Sequence, residues 1–327
     1  FNHLDNTFVP LTKLNGDTEW VAIKTKYFIA SLVPVSSQGI SGAYSYKNIL
    51  LGDREKTPVY DAHIAFPVKN NFTLNADVYL GPMDYRLLGD LGVGLENAMS
   101  LGWAPVRPFS KLVLNLLVFL HRFIDNYGLV LILFAIIIRI ITGPLTKKSA
   151  VSSQKMQSLQ PLIKKVNEKY VNDPQKRNQE TMNLYKKHGV NPLGGCLPLL
   201  IQFPLLFALF TVFRITIEFR GASFFWWIKD LSQPDVVFTL PFSIPIYGES
   251  VCVLPLFMGA TMFLQQKSSM ATMDKAQRLP MYFMSFFFLL LFNTFPSGLN
   301  LYYSVSNILN IIQQRSIRKK SLKKKSV

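Results

Sequence analysis

Cysteine is scarce: the 327 residues hold two, Cys196 and Cys252. Both sit in apolar runs without a CxxC or Cys/His neighbour, which speaks against a disulfide framework or zinc site and for small packing residues. No GK dipeptide occurs, so there is no Walker-type phosphate loop, and HExxH and GxSxG are absent too. The four histidines, His3, His63, His121 and His188, are dispersed and lack ligand spacing. These absences leave no case for catalysis. The expectation is a protein that is not an enzyme, with no cofactor and no metal, whose energy, if any is consumed, comes from a partner. No signal peptide or N-terminal anchor is visible either. The chain starts at Phe1, with no basic stretch followed by an apolar one, and the expectation is a fragment of a longer protein.

Positive charge and apolar runs are abundant. The formal net charge is +16 while 49% of residues are hydrophobic. A soluble basic protein spreads its charge over a polar surface. Here the charge is confined to a few segments with long apolar runs between them, the pattern of a membrane protein with basic cytoplasmic parts.

Residues 1–104 read as a soluble, mostly β region. EWVAIKTKYFIASLVPV (Glu19–Val35) and NNFTLNADVYLGP (Asn70–Pro82) mix β-branched and aromatic residues with partial alternation, punctuated by turn formers. The expectation is an antiparallel sheet domain, a partial β-sandwich, with a short helix in MDYRLLGDLG. Residues 105–126 contain an apolar run, Leu112–Leu120, too short to span about 30 Å of hydrocarbon. Lys111, Asn115, Arg122 and Asp125 fall near one side of a helix there. It reads as an interfacial amphipathic helix, the alternative being a helix packed on the sheet domain.

Five candidate spans follow within 127–315: Tyr127–Leu145, Leu193–Phe213, Ser250–Gln266, Leu279–Phe295 and Pro296–Gln314. The last is polar for a span and needs shielding by neighbouring helices or water. Between the first two lies a basic segment, residues 146–190. Its pieces, about Lys148–Tyr170 and Pro174–His188, suggest a helical hairpin whose seam is Met156, Leu159, Leu162, Ile163 and Val166, with Pro161 a weakness in the first helix. The tail, residues 316–327, has no acid. Positive-inside logic places the hairpin and the tail in the cytoplasm. An odd number of spans puts both on one side and the β domain on the other.

Polar groups inside the apolar runs are the candidate site. Arg139 lies six residues before Leu145, roughly 9 Å of helix. It either snorkels to the interface or points into a wet cavity. Company favours the cavity: Asn300, Tyr303, Asn307, Asn310 and Gln314 recur at steps of three and four, Gln202 sits inside the second span, and Thr142 is near Arg139. No acid in the first or last span neutralises the arginine.

NPLGGCLPLLIQFPLLFAL (Asn191–Leu209), FPSGLNLYYSVSNILNIIQQ (Phe295–Gln314) and GPLTKKSAVSSQKMQSLQP (from Gly143) resemble the YidC-type membrane protein insertases. The resemblance covers about residues 105–315. More weakly, EWVAIKTKYFIASLVP and YLGPMDY are similar to the end of that family's periplasmic β-sandwich. The resemblance implies a multi-pass α-helical membrane protein. It would have a five-transmembrane-helix insertase core with a cytoplasmic helical hairpin, preceded by a partial β-sandwich extracytoplasmic domain, with the family's first span and most of its periplasmic domain outside this chain. It also implies a bacterial inner membrane location and a hydrophilic groove open to cytoplasm and lipid. Arg139 matches the groove arginine, and the Tyr302-Tyr303 pair, Tyr303 by preference, matches a groove tyrosine. Ala135 stands where some members carry threonine. The expected groove set is Arg139, Thr142, Gln202, Asn300, Tyr303 and Asn307. The implied partners are nascent membrane proteins, the Sec translocon with its accessory subunits, ribosome and targeting factors, and membrane lipids. Arg318, Lys319, Lys320, Lys323, Lys324 and Lys325 are the expected ribosome or lipid contacts, or else a solvated anchor that only fixes orientation. Two other classes stay open: a transporter or channel using Arg139 as an anion site, and a structural membrane scaffold.

Overall fold

The computed structural model describes residues 12–15, 19–35, 42–51, 56–65, 73, 75–190, 197–245, 247–270 and 275–325. Asn71 and Cys196 lie outside them. The chain divides into two units, one of Phe1–Leu101 with Ile215–Glu218, the other of Gly102–Arg214 with Phe219–Val327.

In the first unit, β1 (Thr12–Asn15), β4 (Gly42–Leu51) and β5 (Lys56–Ala65) form one antiparallel sheet in the order β1-β4-β5. Strands β2 (Val21–Lys24), β3 (Phe28–Pro34) and β6 (Ala76–Pro82) form another, ordered β2-β3-β6. The two expected strand segments supply β2, β3 and β6. The long hairpin β4–β5 lies in stretches to which sequence reading assigned no strand. Alternation in β3 buries Ile29, Ser31 and Val33 and exposes Phe28 and Ala30. A short helix, α1 (Tyr85–Asp90), follows as expected, its N-terminus capped by Asp84, which accepts from Arg86 N (2.8 Å) and Leu87 N (3.2 Å). Ile29, Met83, Leu88, Leu95, Met99 and Leu101 make this unit's core.

The second unit is helical. Helix α2 (Arg107–His121) packs Val113, Leu114, Leu117 and Leu120 inward, along α3 (Tyr127–Ser158), and exposes Phe109, Leu112 and Phe119 on another side. It is therefore apolar on two sides, one meeting protein and one left open. Helix α3 runs 32 residues without a break despite Pro144, so the first span and the start of the hairpin are one helix. The break falls at Leu159. Pro161 opens a new helix, α4 (Gln160–Lys169), where a missing N–H costs nothing. This corrects the expected single piece from Lys148 to Tyr170. Helix α5 (Pro174–Lys187) completes the hairpin, capped by Asp173, which accepts from Lys176 N at 2.9 Å. The seam is narrower than expected: Leu159 and Ile163 are buried with Val190, while Leu162 is exposed.

Helices α6 (Leu197–Ile215), α7 (Val253–Met270), α8 (Lys275–Phe292) and α9 (Ser297–Lys325) are the remaining candidate spans. Among the described residues one helix, over Tyr127–Ser152, is long and apolar enough to cross a membrane by itself; Gln202–Ile215, Val253–Gln266 and Tyr282–Phe292 are shorter apolar stretches. Helix α9 lies along both α3 and α7. It also runs through the basic tail to Lys325, so the expected boundary at 316 is no break in the helix.

The third expected span is corrected at its start. Ser250–Cys252 belongs to a strand, β8 (Gly248–Cys252), which pairs antiparallel with β7 (Val236–Ile244). This hairpin fills a connection to which sequence reading assigned no element. Its base is tied to the helix ends. Asp235 accepts from Val253 N (3.1 Å) and Leu254 N (2.8 Å), the unpaired amides opening α7, and from Trp227 Nε1 (3.1 Å). Asn293, just past α8, donates to the carbonyls of Tyr247 (2.9 Å) and Ser250 (2.5 Å) and accepts from Cys252 N (3.3 Å). Ser297 N and Gly298 N of α9 donate to Gln233 O and Leu231 O. Cys252 is buried and free, as a packing residue would be.

Candidate functional site

Arg139 sits in the first half of α3, about three turns from its start, where nearly every neighbour in sequence is apolar. It is half-buried, and its Nε is buried with no hydrogen-bond partner among the described residues. None of the sequences of α3, α6, α7, α8 and α9 contains Asp or Glu. The charge is therefore held at depth without an acid in these helices to neutralise it.

The side chain that meets Arg139 electrostatically is Tyr302 on α9. Tyr302 is buried, its ring 5.6 Å from that of Phe134 on α3 and 5.1 Å from Tyr303, edge to face. Ser306, one turn on, lies beside the Tyr302 hydroxyl. Tyr303 is turned elsewhere. Its ring lies 6.1 Å from Phe292, and its hydroxyl is buried without a hydrogen bond among the described residues, although it faces the half-buried Gln202 of α6. Of the two tyrosines, the one that interacts electrostatically with Arg139 is Tyr302, while Tyr303 faces Gln202.

The other expected groove residues are bound to neighbouring helices or to their own backbone. Thr142 donates to Ile138 O of its own helix at 2.7 Å. Asn300 is fully buried and donates to Phe292 O at 3.1 Å, satisfying a terminal carbonyl of α8. Asn307 donates to Thr261 Oγ1 on α7 at 3.3 Å. The structure thus gathers Arg139 with Tyr302, and Gln202 with Tyr303. Asn300, Asn307 and Thr142 hold helices together or close on their own backbone. The six tail residues Arg318, Lys319, Lys320, Lys323, Lys324 and Lys325 share one helical segment, and their side chains lie outside the described residues.

Two further polar features escaped sequence reading. One turn beyond Arg139, Gln313 of α9 donates to Gly143 O (3.1 Å) and accepts from Thr146 Oγ1 (3.2 Å), clasping α9 to α3. On α7, Gln265 Oε1 is buried without a partner among the described residues, and Gln266 accepts from Ser285 of α8 at 2.6 Å. The four-residue step from Thr142 to Thr146 was the available signal for the clasp. Among the described residues no three His, Cys, Asp or Glu side chains gather as a metal site. The assembly offers a guanidinium and hydroxyl and amide groups inside an apolar bundle. That suits binding a polar or acidic group at membrane depth.

The family model described as "60Kd inner membrane protein" matches residues 119–325, and that for the YidC periplasmic domain matches residues 2–112. A protein described as membrane protein insertase YidC from Pelodictyon phaeoclathratiforme is 42% identical over 318 residues, which cover 93% of this chain and 52% of that protein. The protein so described from Chloroherpeton thalassium is 41% identical over 321 residues, 96% of this chain and 54% of that protein. The chain spans about half the length of the curated relatives it matches. A solved structure described as an active YidC insertase with the first transmembrane domain resolved shares the fold. Its TM-score is 0.51 at 22% identity, over 92% of this chain and 78% of that one.

Proposed function

The chain belongs to the 60Kd inner membrane protein family, the YidC-type membrane protein insertases, and on that premise we propose that it inserts and helps fold membrane proteins. In this reading α3, α6, α7, α8 and α9 cross the bacterial inner membrane, with the β unit in the periplasm and the α4–α5 hairpin and basic tail in the cytoplasm. A hydrophilic segment of a nascent chain enters from the cytoplasm, and Arg139 with Tyr302 receives its acidic or polar groups. That lowers the cost of carrying them to membrane depth. The apolar faces of α6 and α8, which expose Phe203, Phe207, Phe283 and Phe286, guide the arriving helix into lipid. Burial of that helix drives the step, since each apolar residue at its centre favours insertion. The Sec translocon, ribosome and targeting factors and anionic lipids are the partners of this reading.

The observation that carries the proposal is the buried, unpartnered Nε of Arg139 in helices that contain no acid. A charge at the centre of a membrane helix costs about 3 kcal/mol on insertion scales, a cost that a scaffold has no use for. The test is insertion of a small single-span protein into Sec-free liposomes that hold the full-length protein. Insertion well above that of empty liposomes supports the proposal. Insertion no better than empty liposomes overturns it as a solitary activity.

A further inference from the structure

The hairpin between α6 and α7 has a surface that the bundle does not use. Val236, Val237, Phe238, Phe242 and Ile244 are exposed, and β7 is open along almost its whole length. Successive strand residues point to opposite faces, so the neighbours Val237 and Phe238 carry apolar exposure onto both faces of the ribbon. From Val236 to Cys252 the one charged residue is Glu249. The exposure is not that of a loose loop, because Asn293 and Asp235 fix the hairpin to the ends of α8 and α7. The apolar surface continues past the hairpin along α7 through Val253, Leu256 and Phe257.

The loop before the hairpin repeats the pattern. Phe225 stacks on Trp226 at 4.7 Å, and Trp226 lies 6.1 Å from Trp227. Trp226 is 80% exposed, yet its backbone is left-handed, with φ 47°, a state unfavourable for a residue with a side chain. Apart from its stacking on Phe225, the ring it presents is mostly bare.

We propose that the β7–β8 hairpin and the Phe225–Trp227 aromatics lie in the headgroup–acyl boundary of the non-cytoplasmic leaflet, as a lipid-contacting flange on α7. Tryptophan is favoured at that depth. An open strand edge is excluded from the hydrocarbon itself, which places the ribbon at the boundary and not deeper. The competing occupant is a protein strand added to the edge of β7. Pro241 within β7 lacks an N–H, and the register shifts between Val236 and Phe238 and again between Thr239 and Ile244. Both features blunt an edge against pairing. The inference rests on the membrane reading of α7 given above.

The test uses the full chain, with Cys196 and Cys252 replaced by alanine and folding checked by circular dichroism, in phosphatidylcholine–phosphatidylglycerol vesicles. A nitroxide is placed at Ser243→Cys, at Phe257→Cys on α7, and at Lys176→Cys on α5 as the water reference. The expected ratio of oxygen to water-soluble nickel-chelate accessibility at 243 is severalfold above that at 176 and below that at 257. If 243 matches 176 while 257 is deep, the flange is wrong and the membrane reading of α7 stands. If 257 also matches 176, the membrane reading itself fails. A label at 243 shielded from both reagents means a protein contact and overturns the lipid assignment. The unaltered chain supplies a second readout: brominated phosphatidylcholine should quench its tryptophan fluorescence, and Trp226→Phe should lose a clear share of that quenching. Equal quenching in both chains contradicts the proposal.

Discussion

At position 139 a guanidinium, coupled electrostatically to the phenol of Tyr302, stands where the chain could have carried leucine. The sequence made Arg139 conspicuous, because a lone charge in an apolar run needs a reason. Tyr302 was not legible in the same way. Adjacent residues on a helix point about 100° apart, and only the packing of α9 against both α3 and α7 decides which tyrosine meets the arginine. In the polar stripe of α9, Asn300 meets a helix end and Asn307 meets Thr261, partners that periodicity does not name. In the β unit, Glu218 is half-buried in a 3-10 turn, Ile217–Phe219, and its Oε2 has no hydrogen-bond partner among the described residues. Burial, with help from Asp84, holds its carboxyl above the usual range, against its own backbone hydrogen bond, Thr216 and Arg86. A carboxyl raised on folding binds its proton more tightly in the native state. Stability is therefore greatest below the unfolded value, about 4.3, and falls as pH rises through the folded value. Glu218→Gln should raise the melting temperature of the β unit at neutral pH and leave it nearly unchanged at low pH. Thermal melts of both chains across that range check this.

Helix α9 begins where three elements converge. A Cβ at Gly298 would stand 2.5 Å from Phe213 Cε1 and 3.1 Å from the Leu231 carbonyl. Overpacking of this kind costs about 1–3 kcal/mol. Gly298→Ala should destabilise the helical unit by that amount, read from denaturation in detergent, while Gly143→Ala, whose Cβ would meet only Gln313 Nε2 at an ordinary 3.6 Å, shows no such clash. The helices themselves were largely legible, since apolar runs and Pro161 mark them. The β7–β8 hairpin was not. VVFTLPFSI lacks the alternation of a half-buried strand because neither of its faces is packed, and Ser250–Cys252 read as the start of a span because it is apolar. The continuity of α3 into the basic segment was missed for the converse reason: the change in composition at Lys147 marks a change of surroundings, not an end of the helix.

For the whole molecule, charge and fold divide the work. The net +16 is concentrated in the hairpin and in the last turns of α9, away from the apolar runs. If the tail meets anionic lipid, each lysine near the surface contributes about 1 kcal/mol. Lys323→Gln with Lys324→Gln should then weaken binding to phosphatidylglycerol vesicles by about 2 kcal/mol, and salt should narrow the difference; equal binding would leave the tail as a solvated anchor. A β-rich segment ahead of a helical one was expected from strand-like alternation and from the long apolar runs. The fit between a buried cation and helices without acid needed the packing of α9.

The most direct measurement follows insertion of a single-span protein with an acidic N-terminal tail into Sec-free liposomes, comparing the parent chain with Arg139→Ala, and repeats it with the tail's acids neutralised. The account predicts that Arg139→Ala folds normally, slows the acidic tail by tenfold or so, equivalent to about 1.4 kcal/mol, and leaves the neutral tail alone. Equal rates for both chains on both tails would contradict it and return Arg139 to the role of a side chain that reaches for the interface.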